Sequence, residues 1–324
     1  MSHAIRIHEY GGADCLRWEE TAVADPGPGE IRLRQTAVGL NFIDVYHRTG
    51  FYKAPSLPAI LGMEAAGEVM AVGAGVADFA PGDRVAYATA LGAYAEERVL
   101  KADLAVKIPG GVADETAAAM MLKGMTARYL LRETYKAGPE TVLLFHAAAG
   151  GVGLIACQWA RHLGATVIGT AGSDEKALIA RDHGCQHVIN TRTEDFAARV
   201  REITGGAGCD VVYDSIGRDT FPASLDCLKP RGLWVSFGNA SGPVQAFEIG
   251  ILAAKGSLYA TRPSLMTYTA TRAALMANAA DLFDVVKSGA VKIGAAQRYP
   301  LRDAARAHRD LEARRTTGSS LLLP

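Results

Sequence analysis

Three glycines carry the clearest chemical meaning in this sequence. Gly150, Gly151 and Gly153 follow the apolar run Val142–Phe145, and Val152, Ile155, Ala156, Trp159 and Leu163 then recur at helical spacing. A buried strand that feeds a helix through glycines is suited to holding a pyrophosphate. The backbone can approach the anion where no Cβ intervenes, and the N–H groups and positive end of the helix face it. Ala148-x-Gly150-x-x-Gly153 is the dinucleotide fingerprint with alanine in its first position, a pattern whose meaning rests on its context.

That context is a run of alternating strands and helices. Residues 166–169 predict a second strand, with Ser173 capping a helix that ends near Gly184. His187–Asn190 predicts a third strand, Thr191-x-x-Glu194 has the form of a capping box, and an amphipathic helix follows to Gly205. Further strands are expected at 209–216, 232–237 and 257–260. Alternation of this kind implies a doubly wound parallel sheet whose ligand crevice lies at the carboxyl ends of the strands. The residues just beyond those ends are therefore the candidates: Gly150, Gly151, Val152, Ser173, Lys176, Thr191, Ser215, Phe237, Gly238, Asn239, Ser241 and Arg262.

Cofactor choice is read from the end of the second strand. An NAD site usually carries a carboxylate there for the ribose 2′-hydroxyl, whereas NADP needs a cation nearby. Here the strand runs into Thr170-Ala-Gly-Ser-Asp-Glu-Lys176, with no acid at its end. Ser173 can donate to a 2′-phosphate and Lys176 can supply charge, which favours NADPH; Asp174 and Glu175 weaken that field.

The remaining sequence sets the frame. A chain of 324 residues suggests two domains. Its 34 basic and 34 acidic residues balance, so charge implies neither a nucleic-acid nor an anionic-membrane partner. No apolar stretch has the length of a membrane span and the N-terminus has no signal-peptide form, so a cytoplasmic enzyme is expected. Five scattered cysteines form no CxxC pair. His183 and His187 share a four-residue spacing, but Gly184 breaks the helical register between them, which favours a helix-to-strand turn over a metal site. Up to about residue 120, short alternating segments at 31–35, 68–72, 83–88 and 94–100 predict a small, mostly antiparallel, barrel-like domain. From about residue 264 the chain is helical over Arg272–Lys287 and strand-like over Ser319–Leu323, and is expected to return to the first domain.

The motifs together resemble a family. Asn41-Phe-Ile-Asp-Val-Tyr46, Gly62-Met-Glu-Ala-Ala-Gly67, Gly82-Asp-Arg-Val85, Lys123-Gly-Met-Thr126, the 147–153 turn and Ser236-Phe-Gly-Asn239 are similar to the quinone oxidoreductase (zeta-crystallin-like) branch of the zinc-independent medium-chain dehydrogenases/reductases. The resemblance runs from the N-terminus to Gly318-Ser-Ser-Leu. It implies a GroES-like β-barrel-type catalytic domain at 1–124 and 264–324, an inserted Rossmann domain at 125–263, NADPH as cofactor and a homodimer. It also implies that Asn41, Tyr46 and Thr126 line the nicotinamide, that Gly150 to Val152 hold the pyrophosphate, and that Ser173 and Lys176 take the 2′-phosphate. Ser215, Phe237, Gly238, Asn239 and Ser241 would complete the cofactor wall, with Arg262 and Arg314 nearby. Where relatives carry tyrosine after the third-strand asparagine this chain has Thr191, which removes an aromatic contact to the adenine-ribose end.

Zinc alcohol dehydrogenases of the same superfamily place cysteine and histidine where Asn41 and Met63 stand, so no alkoxide-binding metal is expected. Glu64 then reads as structural. The expected reaction is hydride transfer from NADPH to a quinone, with Tyr46, Tyr52 or Asn41 as hydrogen-bond donors to a quinone oxygen, or as plain lining of the cleft between the domains. Two alternatives stand beside it. One is an NADPH-dependent enone or alkenal double-bond reductase; the other, disfavoured by the neutral charge, is a non-catalytic nucleotide- or RNA-binding protein.

Overall fold

The computed structural model describes residues 1–324. Its backbone gathers into two compact units, Met1–Met125 with Thr269–Lys287 and Ile293–Pro324, and Thr126–Tyr268 with Ser288–Lys292.

The first unit is built from strands β1 (Ser2–Ile7), β2 (Arg17–Thr21), β3 (Glu30–Leu40), β4 (Ala59–Ile60), β5 (Glu64–Val72), β6 (Arg84–Tyr87), β7 (Glu97–Lys101) and β8 (Ala105–Lys107), and helix α1 (Phe42–Thr49). β1 lies between β2 and β4 in a small antiparallel sheet. The larger sheet centres on β3, whose alternation of buried Ile31, Leu33, Ala37 and exposed Arg34 and Thr36 gives it one core face. Toward its end Val38 to Leu40 are buried without a break, so the strand runs five residues beyond the predicted 31–35. The predicted strand at 94–100 is shorter at its start: Tyr94 turns into the core and β7 begins at Glu97.

In the second unit β9 (Val142–Phe145), β10 (Thr166–Ala171), β11 (His187–Asn190), β12 (Cys209–Asp214), β13 (Leu228–Ser236) and β14 (Tyr259–Thr261) pair in the order β11-β10-β9-β12-β13-β14, all parallel. β12 is buried at every position, as a central parallel strand covered on both faces must be. Helix α2 (Asp114–Tyr129) leads toward this sheet, and α3 (Gly151–His162), α4 (Asp174–Asp182), α5 (Phe196–Ile203), α6 (Ala223–Asp226), α7 (Gly250–Ala254) and α8 (Leu265–Tyr268) accompany its strands. Helix α9 (Arg272–Lys287), β15 (Ala295–Pro300), α10 (Ala304–Glu312) and β16 (Ser319–Leu323) close the chain, with β16 paired to β3. The architecture is α/β: a GroES-like unit and a doubly wound, Rossmann-type parallel sheet.

Two local expectations need correction. Thr191 caps no helix. Asp195 accepts from Ala197 N (2.9 Å) and Ala198 N (3.2 Å) and starts α5, while Glu194 reaches back to Asn190 N (2.8 Å). The return to the first unit also falls after residue 268 rather than near 264. Tyr268 stacks on Tyr129 with centroids 4.5 Å apart and its hydroxyl accepts from Thr134 Oγ1 (3.0 Å), which holds α8 to the second unit. Residues 288–292 join that unit as well, through paired hydrogen bonds between Gln158 and the Lys292 backbone (3.0 and 3.1 Å).

Candidate active site

The turn from β9 to α3 has the backbone form that an anion site requires. Gly150 is the N-cap of α3 in extended conformation (φ −81°, ψ 174°), so the N–H groups of the first turn point outward along the helix axis. The left-handed position of the turn falls not on a glycine but on Ala147 (φ 54°). The glycines differ in what they do. A Cβ at Gly153 would stand 2.5 Å from Ala147 O and 2.6 Å from Ala148 O, so the fold itself requires glycine there. At Gly150 the nearest atom would be Ala147 O at 3.1 Å, which leaves the close approach of a ligand as the stronger reason for its missing side chain.

At the end of β10, Ser173 is the N-cap of α4 and accepts from Lys176 N (3.3 Å). Its hydroxyl also lies on Glu175, whose carboxyl it holds below the usual carboxylate range. A phosphate bound here must therefore draw the Ser173 hydroxyl away from Glu175. Thr191 is exposed and tied by its backbone N–H to Ala171 O (2.9 Å). The far wall is more tightly built. Arg262 donates through Nη1 to Ser236 O (2.7 Å); with the Asn239 amide turned so that its oxygen accepts from Arg262 Nη2 (2.9 Å), its nitrogen donates to Gly238 O (3.0 Å). Ser241 Oγ donates to Ile216 O (2.9 Å). A Cβ at Gly238 would strike Ser215 O at 2.5 Å. Phe237 N donates to Asp214 O (2.8 Å) and Ala240 N to Ser215 O (3.1 Å), so the 214–216 and 236–241 backbones make one hydrogen-bonded surface that carries Ser215, Phe237, Gly238, Asn239, Ser241 and Arg262. Thr126, on α2, is nearly buried; Arg314 lies exposed just beyond α10, on the first unit.

On the first unit α1 carries an aromatic cluster. Tyr46 meets Phe51 (centroids 5.5 Å, interplanar 65°) and Tyr52 (5.4 Å, 81°) edge to face, and Tyr52 N donates to Tyr46 O (3.0 Å). Asn41 is placed differently from its expected role as a donor to a quinone. It is 5% exposed, and its Nδ2 donates to Glu64 Oε2 (2.8 Å). The amide nitrogen is engaged by the protein.

Glu64 is the centre of a buried polar group that pattern reading misses. Besides Asn41 it accepts from Leu122 N (2.7 Å) and Lys123 Nζ (3.0 Å), and it has no exposed surface. Asn41 N donates in turn to Asp44 Oδ2 (2.8 Å), which also accepts from the Tyr94 hydroxyl (3.0 Å). The Tyr94 oxygen lies 3.0 Å from His308 Nε2, and Arg48 Nη1 lies 3.2 Å from His308 Nδ1. A guanidinium can only donate, so Nδ1 is the acceptor and the ring hydrogen sits on Nε2. Arg48, 1% exposed, ends the chain in a bidentate pair with Glu312 (2.8 Å to each oxygen). Burial pushes Asp44 up to about 7, and burial together with the Arg48 charge pushes His308 down to about 3. The available signal was a charged residue inside an apolar run: Lys123 in Ala117-Ala-Ala-Met-Met-Leu-Lys123 and Glu64 in Leu61-Gly-Met-Glu-Ala-Ala.

His183 and His187 are not assembled into a metal site: no three His, Cys, Asp or Glu side chains are grouped to hold an ion anywhere in the structure. His183 instead closes α4, its Nδ1 2.8 Å from Ile179 O.

Comparison with known proteins gives this arrangement its relatives. A family model for zinc-binding dehydrogenases matches residues 151–281, and one for the alcohol dehydrogenase GroES-like domain matches residues 27–110. A quinone oxidoreductase of Pseudomonas aeruginosa is 54% identical, with 100% of both chains covered. A 2-haloacrylate reductase of a Burkholderia species is 50% identical over 100% of this chain and 99% of its own. The crystal structure of Escherichia coli quinone oxidoreductase complexed with NADPH superimposes with a TM-score of 0.98 at 53% identity, covering 99% of this chain and 100% of the other. Matched end to end by such relatives, and with asparagine and methionine where zinc enzymes carry ligands, the chain belongs to the quinone oxidoreductase family of the medium-chain dehydrogenases/reductases.

Proposed function

We infer that this protein is an NADPH-dependent quinone reductase that works without zinc. The observation that carries the reading is end-to-end similarity to quinone oxidoreductases in a chain whose β9–α3 turn presents the backbone donors a pyrophosphate needs. NADPH supplies a hydride which, with one proton, converts the quinone to hydroquinone. The chain's part is to bind and orient. Gly150, whose own N–H is bonded to Ala147 O (2.9 Å), leaves room for the pyrophosphate, Gly151 and Val152 hold it with their N–H groups, Ser173 and Lys176 take the 2′-phosphate, and Thr191 lies at the adenine-ribose end. Ser215, Phe237, Gly238, Asn239, Ser241 and Arg262 form the opposite wall. Thr126 and Asn41 meet the nicotinamide, Asn41 being oriented by Glu64, and Arg314 contributes charge to the cofactor. Tyr46 and Tyr52 orient the acceptor through their hydroxyls.

A panel of NADPH and NADH against 1,4-naphthoquinone and a small enone tests the reading, followed as nicotinamide oxidation. Rapid turnover with NADPH and the quinone is expected. A preference for the enone would favour double-bond reduction, the second reading, which has in its support the 2-haloacrylate reductase at 50% identity.

Lys176→Ala should weaken NADPH binding about tenfold or more while leaving NADH nearly unchanged, since a charge-assisted contact to phosphate contributes about 1.5 to 3 kcal/mol. Titration of each cofactor against wild type and variant checks this; equal affinities for both cofactors in the wild type would overturn it. Tyr46→Phe and Tyr52→Phe should each lower quinone turnover within about tenfold, the size of one neutral hydrogen bond of about 0.5 to 1.5 kcal/mol. Loss of all turnover with NADPH binding intact would instead make that tyrosine an obligatory proton donor.

The protein is further proposed to be a cytoplasmic homodimer. Its five cysteines are all unpaired, as suits a reducing compartment, and no helix is long and apolar enough to cross a membrane. β14 is a sheet edge, with Tyr259 58% and nearby Ile249 79% exposed, which favours pairing with a second copy. Light scattering of the purified protein distinguishes dimer from monomer.

A further inference from the structure

Beneath the cofactor loops lies a second buried polar chain, one that takes no part in the reaction described above. Asp214, fully buried at the end of β12, accepts from Ile216 N (2.9 Å), Gly217 N (3.1 Å), Trp234 Nε1 (3.3 Å) and Thr220 Oγ1 (2.8 and 2.9 Å). Three of these are N–H groups that can only donate, so its oxygens serve as acceptors, and Ser224 Oγ, 3.0 Å away, must donate to it as well. The hydrogen of Ser224 is thereby used, and its oxygen accepts from His146 Nε2 (3.0 Å). His146 therefore carries its hydrogen on Nε2 and presents Nδ1 as an acceptor to Thr170 Oγ1 (3.1 Å). The Thr170 oxygen is left to accept from Ala147 N (3.2 Å). Every hydrogen bond from Asp214 to Ala147 has a single direction.

The two ends of this chain are the two halves of the cofactor site. Ala147 is the left-handed residue that sets the turn into Gly150, a conformation unfavourable for a non-glycine residue and therefore in need of support. Asp214 fastens the 216–217 backbone, and its main-chain oxygen accepts from Phe237 N (2.8 Å). His146 has no exposed surface and lies edge-on to Phe196 (5.0 Å, 87°); burial holds its pKa below the ordinary imidazole value, keeping it neutral as the chain requires.

We propose that Thr170, His146 and Ser224 are positioning residues that transmit the fixed acceptor Asp214 to Ala147, and so preset the pyrophosphate turn for a dinucleotide. The proposal rests on the NADPH-binding reading above. It assigns these residues to the part of the cofactor shared by NADPH and NADH, leaving the choice between them to Ser173 and Lys176.

Thr170→Val keeps the shape and removes the hydroxyl; Thr170→Ser keeps the hydroxyl and removes a methyl group. NADPH and NADH dissociation constants, measured by quenching of protein fluorescence, should both rise about tenfold in Thr170→Val and by the same factor. At saturating NADPH, kcat with 1,4-naphthoquinone should stay within about twofold, and Thr170→Ser should return both constants to near the wild-type values. Ser224→Ala, at the other end of the histidine, should repeat the pattern and serves as the test if Thr170→Val does not fold. Unchanged binding in both deletion variants, a loss confined to kcat, or a Thr170→Ser variant as weak as Thr170→Val would overturn the proposal. Wild-type protein that binds neither nucleotide would overturn the functional reading instead.

Discussion

Gly150→Val should fold normally and bind NADPH at least about a hundredfold more weakly, whereas Gly153→Val should lose stability before binding can be assessed. The two glycines sit three residues apart in one motif, yet the structure separates their reasons for being there. At Gly150 the backbone is extended and a Cβ meets only Ala147 O at 3.1 Å, which a shift of a few tenths of an ångström relieves. On the proposed cofactor reading, the branched side chain then projects where a pyrophosphate would approach the first turn of α3. Losing two charge-assisted hydrogen bonds there removes about 3 to 6 kcal/mol of binding. At Gly153 the added Cβ would overlap Ala147 O and Ala148 O, at 2.5 and 2.6 Å, and neither backbone carbonyl can yield without parting α3 from β9. Overpacking of this kind costs about 1–3 kcal/mol and occasionally more. Thermal melts and cofactor titration check both: wild-type affinity in Gly150→Val would remove the pyrophosphate from this turn, and an unchanged melting temperature in Gly153→Val would contradict the packing.

The contrast shows what a sequence pattern can and cannot convey. Strand-to-helix glycines, β-α alternation and the Ser173 cap were legible because local backbone demands and burial period write themselves into neighbouring residues. Strand β9, helix α9 and strand β16 lie within the bounds their apolar patterns predict. What escaped reading depends on partners distant in the chain. Glu64 meets Lys123 across 59 positions, Arg48 meets Glu312 across 264, and His146 meets Ser224 across 78. No local spacing announces such pairs, and a histidine after a strand reads the same whether it faces water or a buried serine. Asn41 is the instructive case: its residue type suggests a donor to substrate, and only the position of Glu64 shows that one of its two amide hydrogens is taken. The left-handed Ala147 escaped for the opposite reason, since the pattern directs attention to the glycines beside it.

Lys123→Met should be among the most destabilising single changes in the first unit, by about 3–5 kcal/mol, because it strands a carboxylate in the core. Glu64 has no exposed surface, and Lys123 is 5% exposed with Nζ 3.0 Å from Glu64 Oε2. With the ammonium gone, Glu64 keeps only Asn41 Nδ2 and Leu122 N as donors. Two neutral donors do not replace the cation for a fully desolvated charge. Replacing both partners tells a different story. In the Glu64→Gln, Lys123→Met double variant no net charge is buried, the glutamine amide can still accept from Leu122 N or Asn41 Nδ2, and the methionine fills most of the lysine stem volume. Most of the lost stability should return, as it does when a buried pair is replaced as a unit. Urea unfolding midpoints for wild type, the two single variants and the double variant form the cycle that measures this. A Lys123→Met protein as stable as wild type would show that Glu64 is not held as a charged partner. The ion-paired clamp that holds the Asn41 amide against Glu64 would then lose its physical basis, and the amide would be free to turn away from it.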